Sequence, residues 1–200
     1  ESAGTYVIER IQKDNDRLIT RINDARIKAQ AQKPVDTTIA VIDTMIDWSH
    51  VDLNGVSWTN DDENPNDGKD NDKNGYIDDV FGYDFMNEKG ITTLKPNSPG
   101  AHGTAIAGII ASNMKNGKGI AGMVGNAHIK VMNLAVLDPI TTEGSVDHLI
   151  EAIRYAERNG AKICNISSNY SMDDSELYDT IQHSKMLFVV SAGNRPTLGV

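Results

Sequence analysis

The chain has one cysteine, Cys164. A single thiol excludes an internal disulfide framework and a cysteine-rich zinc module. Long apolar runs are also missing: no stretch approaches the roughly 18–20 residues that a bilayer span needs. No N-terminal segment reads as a signal peptide, although the sequence opens on Glu1, as it would after removal of an earlier segment. Positive charge is in deficit, with 19 Lys and Arg against 28 Asp and Glu, a net of −9. A balance of that sign argues against a basic nucleic-acid surface. Hydrophobic residues at 39% and charged residues at 24% over 200 positions suit one domain, or most of a larger one, with a sizeable core.

What the chain has in excess is acid, and the acid is concentrated. Asp61, Asp62, Glu63, Asp67, Asp70, Asp72, Asp78, Asp79 and Asp84 are nine acids opposed only by Lys69 and Lys73, a local net of −7 that leaves −2 for the rest. Like charges this close repel unless a cation offsets them.

Residues 1–34 form a first unit. Ile8, Ile11, Asn15, Leu18, Ile22, Ala25 and Ala29 recur at spacings of three and four, which predicts a helix over 5–33 with one apolar face. That face suits docking on the chain's own domain or pairing with a partner helix. Residues 37–42 are short, apolar and β-branched, a buried strand with Asp43 at its C-terminal end. Residues 54–99 are rich in Gly, Asn, Asp and Pro and read as a long loop region with a short strand over 83–86, of a length that calls for a function or an internal tie. Residues 105–111 are small and apolar on all sides, predicting a helix buried all round. A strand over 129–134, a helix over 145–159 capped by Ser145, a strand over 161–166 holding Cys164 as a core thiol, a helix over 174–184 and a strand over 186–191 complete the pattern. Strands alternating with helices at these lengths give an α/β fold with a parallel sheet and right-handed crossovers.

Sites in such sheets lie at the C-terminal ends of strands. Three polar residues fall there or at a helix start: Asp43, His102 and Asn194. Each alone is ordinary, since Asp serves turns and Gly-Asn is a common turn pair. Together with their neighbours they are not. IAVIDTMID at residues 39–47, His102-Gly103-Thr104-Ala105-Ile106-Ala107-Gly108, ICNIS at 163–167 and LFVVSAGN at 187–194 resemble, in order and spacing, the subtilisin-like serine proteases, or subtilases.

The resemblance covers residues 35–200. It implies a subtilisin-like sheet with helices on both faces, incomplete at its C-terminal side. It also implies a peptide or protein substrate and a hydrolytic Asp-His-Ser triad. Asp43 would hold the imidazole of His102, His102 would be general base and then acid, and Asn194 would donate to the oxyanion. Ser167, Ser168 and Asn169 would pair with the extended substrate, and Ala192 and Gly193 would line a side-chain pocket. The nucleophile's Gly-Thr-Ser-Met-Ala-like motif does not occur, so this chain is expected to be inactive alone. The Ser would come from a C-terminal remainder or a second chain. Met45 and Asn169 stand where the family usually has Gly, and Ala105 and Val51 replace a frequent His and Pro. Residues 1–34 could then be the remnant of a propeptide, a further partner.

Residues 70–78 match the first nine positions of a calcium loop, with Asp70, Asp72, Asn74, Tyr76 (through its carbonyl) and Asp78 as ligands. Position twelve is Phe81 rather than Glu, so a further carboxylate, Asp79 or Asp67, would have to serve. Inserted subtilase loops look like this and bind Ca²⁺. A second family-type site would use Asp52 with the loop from Asn113 to Gly119. Such loops suit millimolar extracellular calcium, so the expected location is secreted or cell-surface. The competing reading is a calcium-binding module that kept the fold and lost the chemistry.

Overall fold

The structure, a computed structural model, describes residues 13, 15–21, 23–24, 36–97, 99–124, 128–168 and 174–193. The central strand is β1 (Thr37–Asp43), whose residues from Ile39 onward are all buried. A strand buried on both faces is what its unbroken apolar run dictates. Further along come β2 (Gly82–Asp84), β3 (Lys89–Gly90), β4 (Ile129–Ala135), β5 (Ile163–Ile166) and β6 (Leu187–Val190). They form a six-stranded sheet in the order β3-β2-β4-β1-β5-β6, parallel except for the β2–β3 pair.

Among the described residues from 36 onward there are three helices: α1 (Ala101–Ala111), α2 (Val146–Arg158) and α3 (Ser175–His183). They lie on both faces of the sheet. Ala40 and Ile42 of β1 point into a core with Leu149, Ile153, Tyr155 and Leu177 of α2 and α3. Val41, between them, points the other way, against Ile46, Trp48, Leu53, Ala107 and Ala111. The alternation follows from the period of two along a strand. Ser145 caps α2 through His148 N–H at 3.1 Å, and Asp174 caps α3 through Leu177 N–H at 2.8 Å. Gly160 ends α2 at φ +81°, where a side chain would be strained.

Two expectations are corrected. The helix expected over 105–111 begins at Ala101 and is not buried all round. Only Gly103, Ala107 and Ala111 rest on the sheet, and Ile109 on the far side is 52% exposed. Small side chains at four-residue spacing let the backbone come close: a Cβ on Gly103 would lie 2.3 Å from the Thr44 carbonyl oxygen. The long loop has internal ties, and only the bounds of its strand differ from the expectation. Ser57 bridges Val131, and β2 and β3 extend the sheet from within it, so its strand falls at 82–84 rather than 83–86.

In the N-terminal segment, Lys13, residues 15–21 and residues 23–24 are helical and exposed, Leu18 by 57%. The rest of the segment, with most of the expected apolar face, lies outside the described residues.

Candidate active site

Asp43 is the last residue of β1 and has no exposed surface. Both its carboxylate oxygens face Nδ1 of His102, at 2.8 and 2.9 Å. The Thr44 backbone N–H donates to the first of them at 2.7 Å. A buried carboxylate needs such partners to remain charged. His102 is the second residue of α1, and its side chain is 43% exposed. With Nδ1–H donated to Asp43, Nε2 keeps its lone pair for a substrate-side proton.

The start of α1 is fixed by the exit of β1. Its N-cap, Gly100, has no side chain to accept a helix N–H. Thr44 Oγ1 fills that role from another element, accepting from Gly103 N–H at 2.9 Å. Gly100 N–H donates to the Met45 carbonyl at 2.7 Å, and Asp47 N–H donates to Thr104 Oγ1 at 3.0 Å. Three contacts thus hold the helix that carries His102 against the loop that follows Asp43.

Ser167 and Ser168 follow β5. Ser167 Oγ accepts from the Asn165 amide at 2.9 Å, while Ser168 Oγ is buried with no hydrogen-bond partner. Ala192 and Gly193 follow β6, both exposed, with Gly193 at φ +93°. β5 and β6 are neighbours, so the two groups lie at the same end of the sheet as Asp43. Asn169 and Asn194 lie outside the described residues.

In the acidic segment, Glu63, Asp72 and Asp79 converge, with one carboxylate oxygen from each within 4.8 Å of the others. Asn60 and Asn74 each donate to both Asp72 and Asp79, at 2.9–3.0 Å. Glu63 also accepts the backbone N–H groups of Asn71, Asp72 and Asp78, clamping the loop. Tyr155 of α2 donates its hydroxyl to Asp79 from beneath. Burial pushes the Asp79 carboxyl up, against the pull of these donors, and burial with the nearby Asp79 charge pushes Tyr155 up as well.

Of the ligands read from the sequence, Asp72, Asn74 and Asp79 (the alternative to position twelve) belong to this cluster. Asp70 accepts from Asn74 and Gly75 N–H, and Asp78 from Asp67 and Gly68 N–H, so both shape the surrounding turns. The Tyr76 ring packs edge-on against Tyr83 and Tyr155. Glu63 and Tyr155 were not among the residues read from the sequence. At the second position, Asp52 accepts from the Asn116 amide at 2.7 Å and from Ile120 N–H at 3.0 Å, which holds its carboxyl below the usual range. Asn113 instead caps its own turn through Lys115 N–H.

Comparison with known proteins bears on the family and the fold. A profile of the Subtilase family matches residues 35–199. Subtilisin-like protease 1 of Plasmodium berghei (strain Anka) is 31% identical over 180 residues, 88% of this chain and 29% of that protein. The thermophilic serine proteinase of Bacillus sp. (strain AK1) is 30% identical over 159 residues, 78% of this chain and 32% of that protein. A cold adapted subtilisin-like serine proteinase superposes with a TM-score of 0.52 at 22% identity, over 79% of this chain and 46% of that one. The prenylagaramide maturation protease PagA gives 0.57 at 21%, over 86% and 50%. At those identities the structural likeness speaks for the fold alone. The chain spans about a third of the length of these curated relatives.

Proposed function

The chain belongs to the subtilase family, and on that premise we propose that it is part of a serine endopeptidase whose Asp–His pair is Asp43 and His102. The observation that carries this reading is the buried Asp43 carboxylate held 2.8 Å from His102 Nδ1. In the proposed reaction, His102 Nε2 takes the proton of a Ser hydroxyl as the Ser attacks the peptide carbonyl. The imidazolium so formed is stabilised by Asp43, and its proton passes to the departing amine. Asn194 donates its side-chain amide to the oxyanion. Ser167, Ser168 and Asn169 hold the substrate main chain, and Ala192 and Gly193 leave room for the side chain before the scissile bond.

The Ser is supplied by sequence beyond this chain, so the chain alone does not turn over substrate. Co-expression with the C-terminal remainder of the catalytic domain, followed by fluorophosphonate labelling, tests this. Labelling of the remainder only in the presence of this chain is the expected result. Stoichiometric labelling of this chain by itself would overturn the assignment.

We further infer a structural Ca²⁺ held by Glu63, Asp72 and Asp79. An all-oxygen donor set with convergent carboxylates suits a hard cation. The ion would offset the mutual repulsion of the three acids and tie the 54–99 loop to the sheet. Such a site fits a secreted or cell-surface protein.

A further inference from the structure

Four Asn-Gly pairs occur in the sequence: Asn54-Gly55, Asn74-Gly75, Asn116-Gly117 and Asn159-Gly160. Such a pair is chemically fragile. Glycine has no side chain to keep its backbone nitrogen away from the carboxamide before it. That nitrogen can attack the Asn side-chain carbonyl carbon when both groups are free to meet.

In three of the pairs they are not free. Gly75 N–H donates to Asp70 at 2.9 Å, while the Asn74 amide donates to Asp72 and Asp79 and its oxygen accepts Tyr76 N–H at 2.7 Å. The Asn116 carboxamide is fixed at both ends, its nitrogen on Asp52 at 2.7 Å and its oxygen on Lys118 N–H at 3.0 Å. Gly160 N–H donates to the Glu157 carbonyl and the Asn159 amide to the Tyr155 carbonyl, both at 3.1 Å. Asn54 differs. It is exposed, as is Gly55, and neither its carboxamide nor Gly55 N–H has a hydrogen-bond partner among the described residues. A Cβ on Gly55 would meet nothing within 4 Å, which leaves room for a ring. The pair is the tip of a β-turn closed by Val56 N–H on the Leu53 carbonyl at 3.3 Å, with Gly55 at φ +81°.

We propose that Asn54 is the site at which this protein deamidates. The Gly55 nitrogen loses its proton to solvent base and bonds to the Asn54 side-chain carbon. Ammonia leaves and a succinimide ring closes. Water then opens the ring at one of its two carbonyls. One opening gives aspartate, the other isoaspartate, whose main chain runs through the β-carbon. The net change is amide plus water to carboxylate plus ammonium. Both products add a negative charge, and isoaspartate also lengthens the backbone. The added carbon falls just before the tie of the long loop to β4, where the Val56 carbonyl accepts Val131 N–H at 2.8 Å and Trp58 N–H donates to the Val131 carbonyl at 2.9 Å. Before the turn, Leu53 is anchored in the core. The isoaspartate form is therefore the one with a loosened loop.

The test incubates the full-length protein at mildly alkaline pH and follows each Asn-Gly peptide by mass spectrometry. Asp43→Asn is built in to prevent self-digestion. Asn54 is expected to convert about tenfold faster than any other pair, the factor set by one hydrogen bond that must first break. In urea the lead should vanish, since all four pairs are then equally free. Asn54→Ser is expected to remove the fast acidic species on isoelectric focusing. Asn54→Asp, which adds the charge without the carbon, should melt with the parent, and the isoaspartate fraction below it. Conversion at Asn54 no faster than elsewhere, or a lead that survives in urea, would overturn the site. An isoaspartate fraction that melts with the parent would overturn the loosened loop.

Discussion

At the residue scale, the Asp43–His102 pair rests on one hydrogen-bonded geometry, so its loss should be sharp. Asp43→Asn keeps the shape but presents the wrong group to Nδ1, which disfavours the tautomer needed for base catalysis. In the full-length protein, turnover is expected to fall by about 10⁴-fold with KM little changed, measured on a peptide substrate. This pair was legible in the sequence because each partner sits in a short contiguous motif at a strand end or helix start. Thr44 was not. Its hydroxyl caps a helix 59 residues away, and no local pattern announces a cap supplied by another element. Glu63 and Tyr155 were missed for the same reason. Glu63 reaches Asp78 N–H across 15 residues, and Tyr155 reaches Asp79 across 76.

At the element scale, the acidic loop behaves as a small unit closed by its own cluster. Saturating calcium, at about 100 times Kd, should stabilise the fold by about 2.7 kcal/mol. For a domain of this size that is a rise in Tm of roughly 5–10 °C, removed by chelator. Scanning calorimetry with and without EDTA checks it, and Glu63→Gln should shrink the difference. A Tm indifferent to chelator would sink the metal assignment. The loop around Asp52 predicts a pH effect of opposite origin. The Asn116 amide and Ile120 N–H hold the Asp52 carboxyl below its ordinary value of 3.8. The stability it contributes is therefore present above that pH and lost as pH falls through the lowered value. Acid unfolding of Asp52→Asn should be less steep in that window; an identical acid limb would refute the role. The regular elements were legible wherever periodicity was strong, as in α2. The burial of α1 was not, because a helix of small residues looks the same from every side until its neighbours are known.

At the scale of the whole molecule, the sheet is covered unevenly. The outer face of α1 exposes Ile109, and the following loop exposes Ile120 and Met123. Under the proposed function this face receives the remainder of the catalytic domain. Ile109→Asp should change the stability of this chain alone by no more than about 0.5 kcal/mol, as surface substitutions do. The same substitution should abolish fluorophosphonate labelling in the co-expressed pair. Unfolding midpoints in urea and gel-based labelling separate the two effects. Full labelling of the substituted pair would show that the remainder docks elsewhere.

The other uneven boundary is β6. Among the described residues it pairs only with β5, and Leu187, Val189 and Val190 are 63%, 50% and 47% exposed. A short, uncharged, β-branched strand with one row of free backbone groups is a template for another strand. For whoever handles this polypeptide by itself, solubility then becomes a matter of concentration and time. Sedimentation should show oligomers growing with loading, and a lysine placed at Val189 should suppress them, since the molecules that stick together would do so edge to edge.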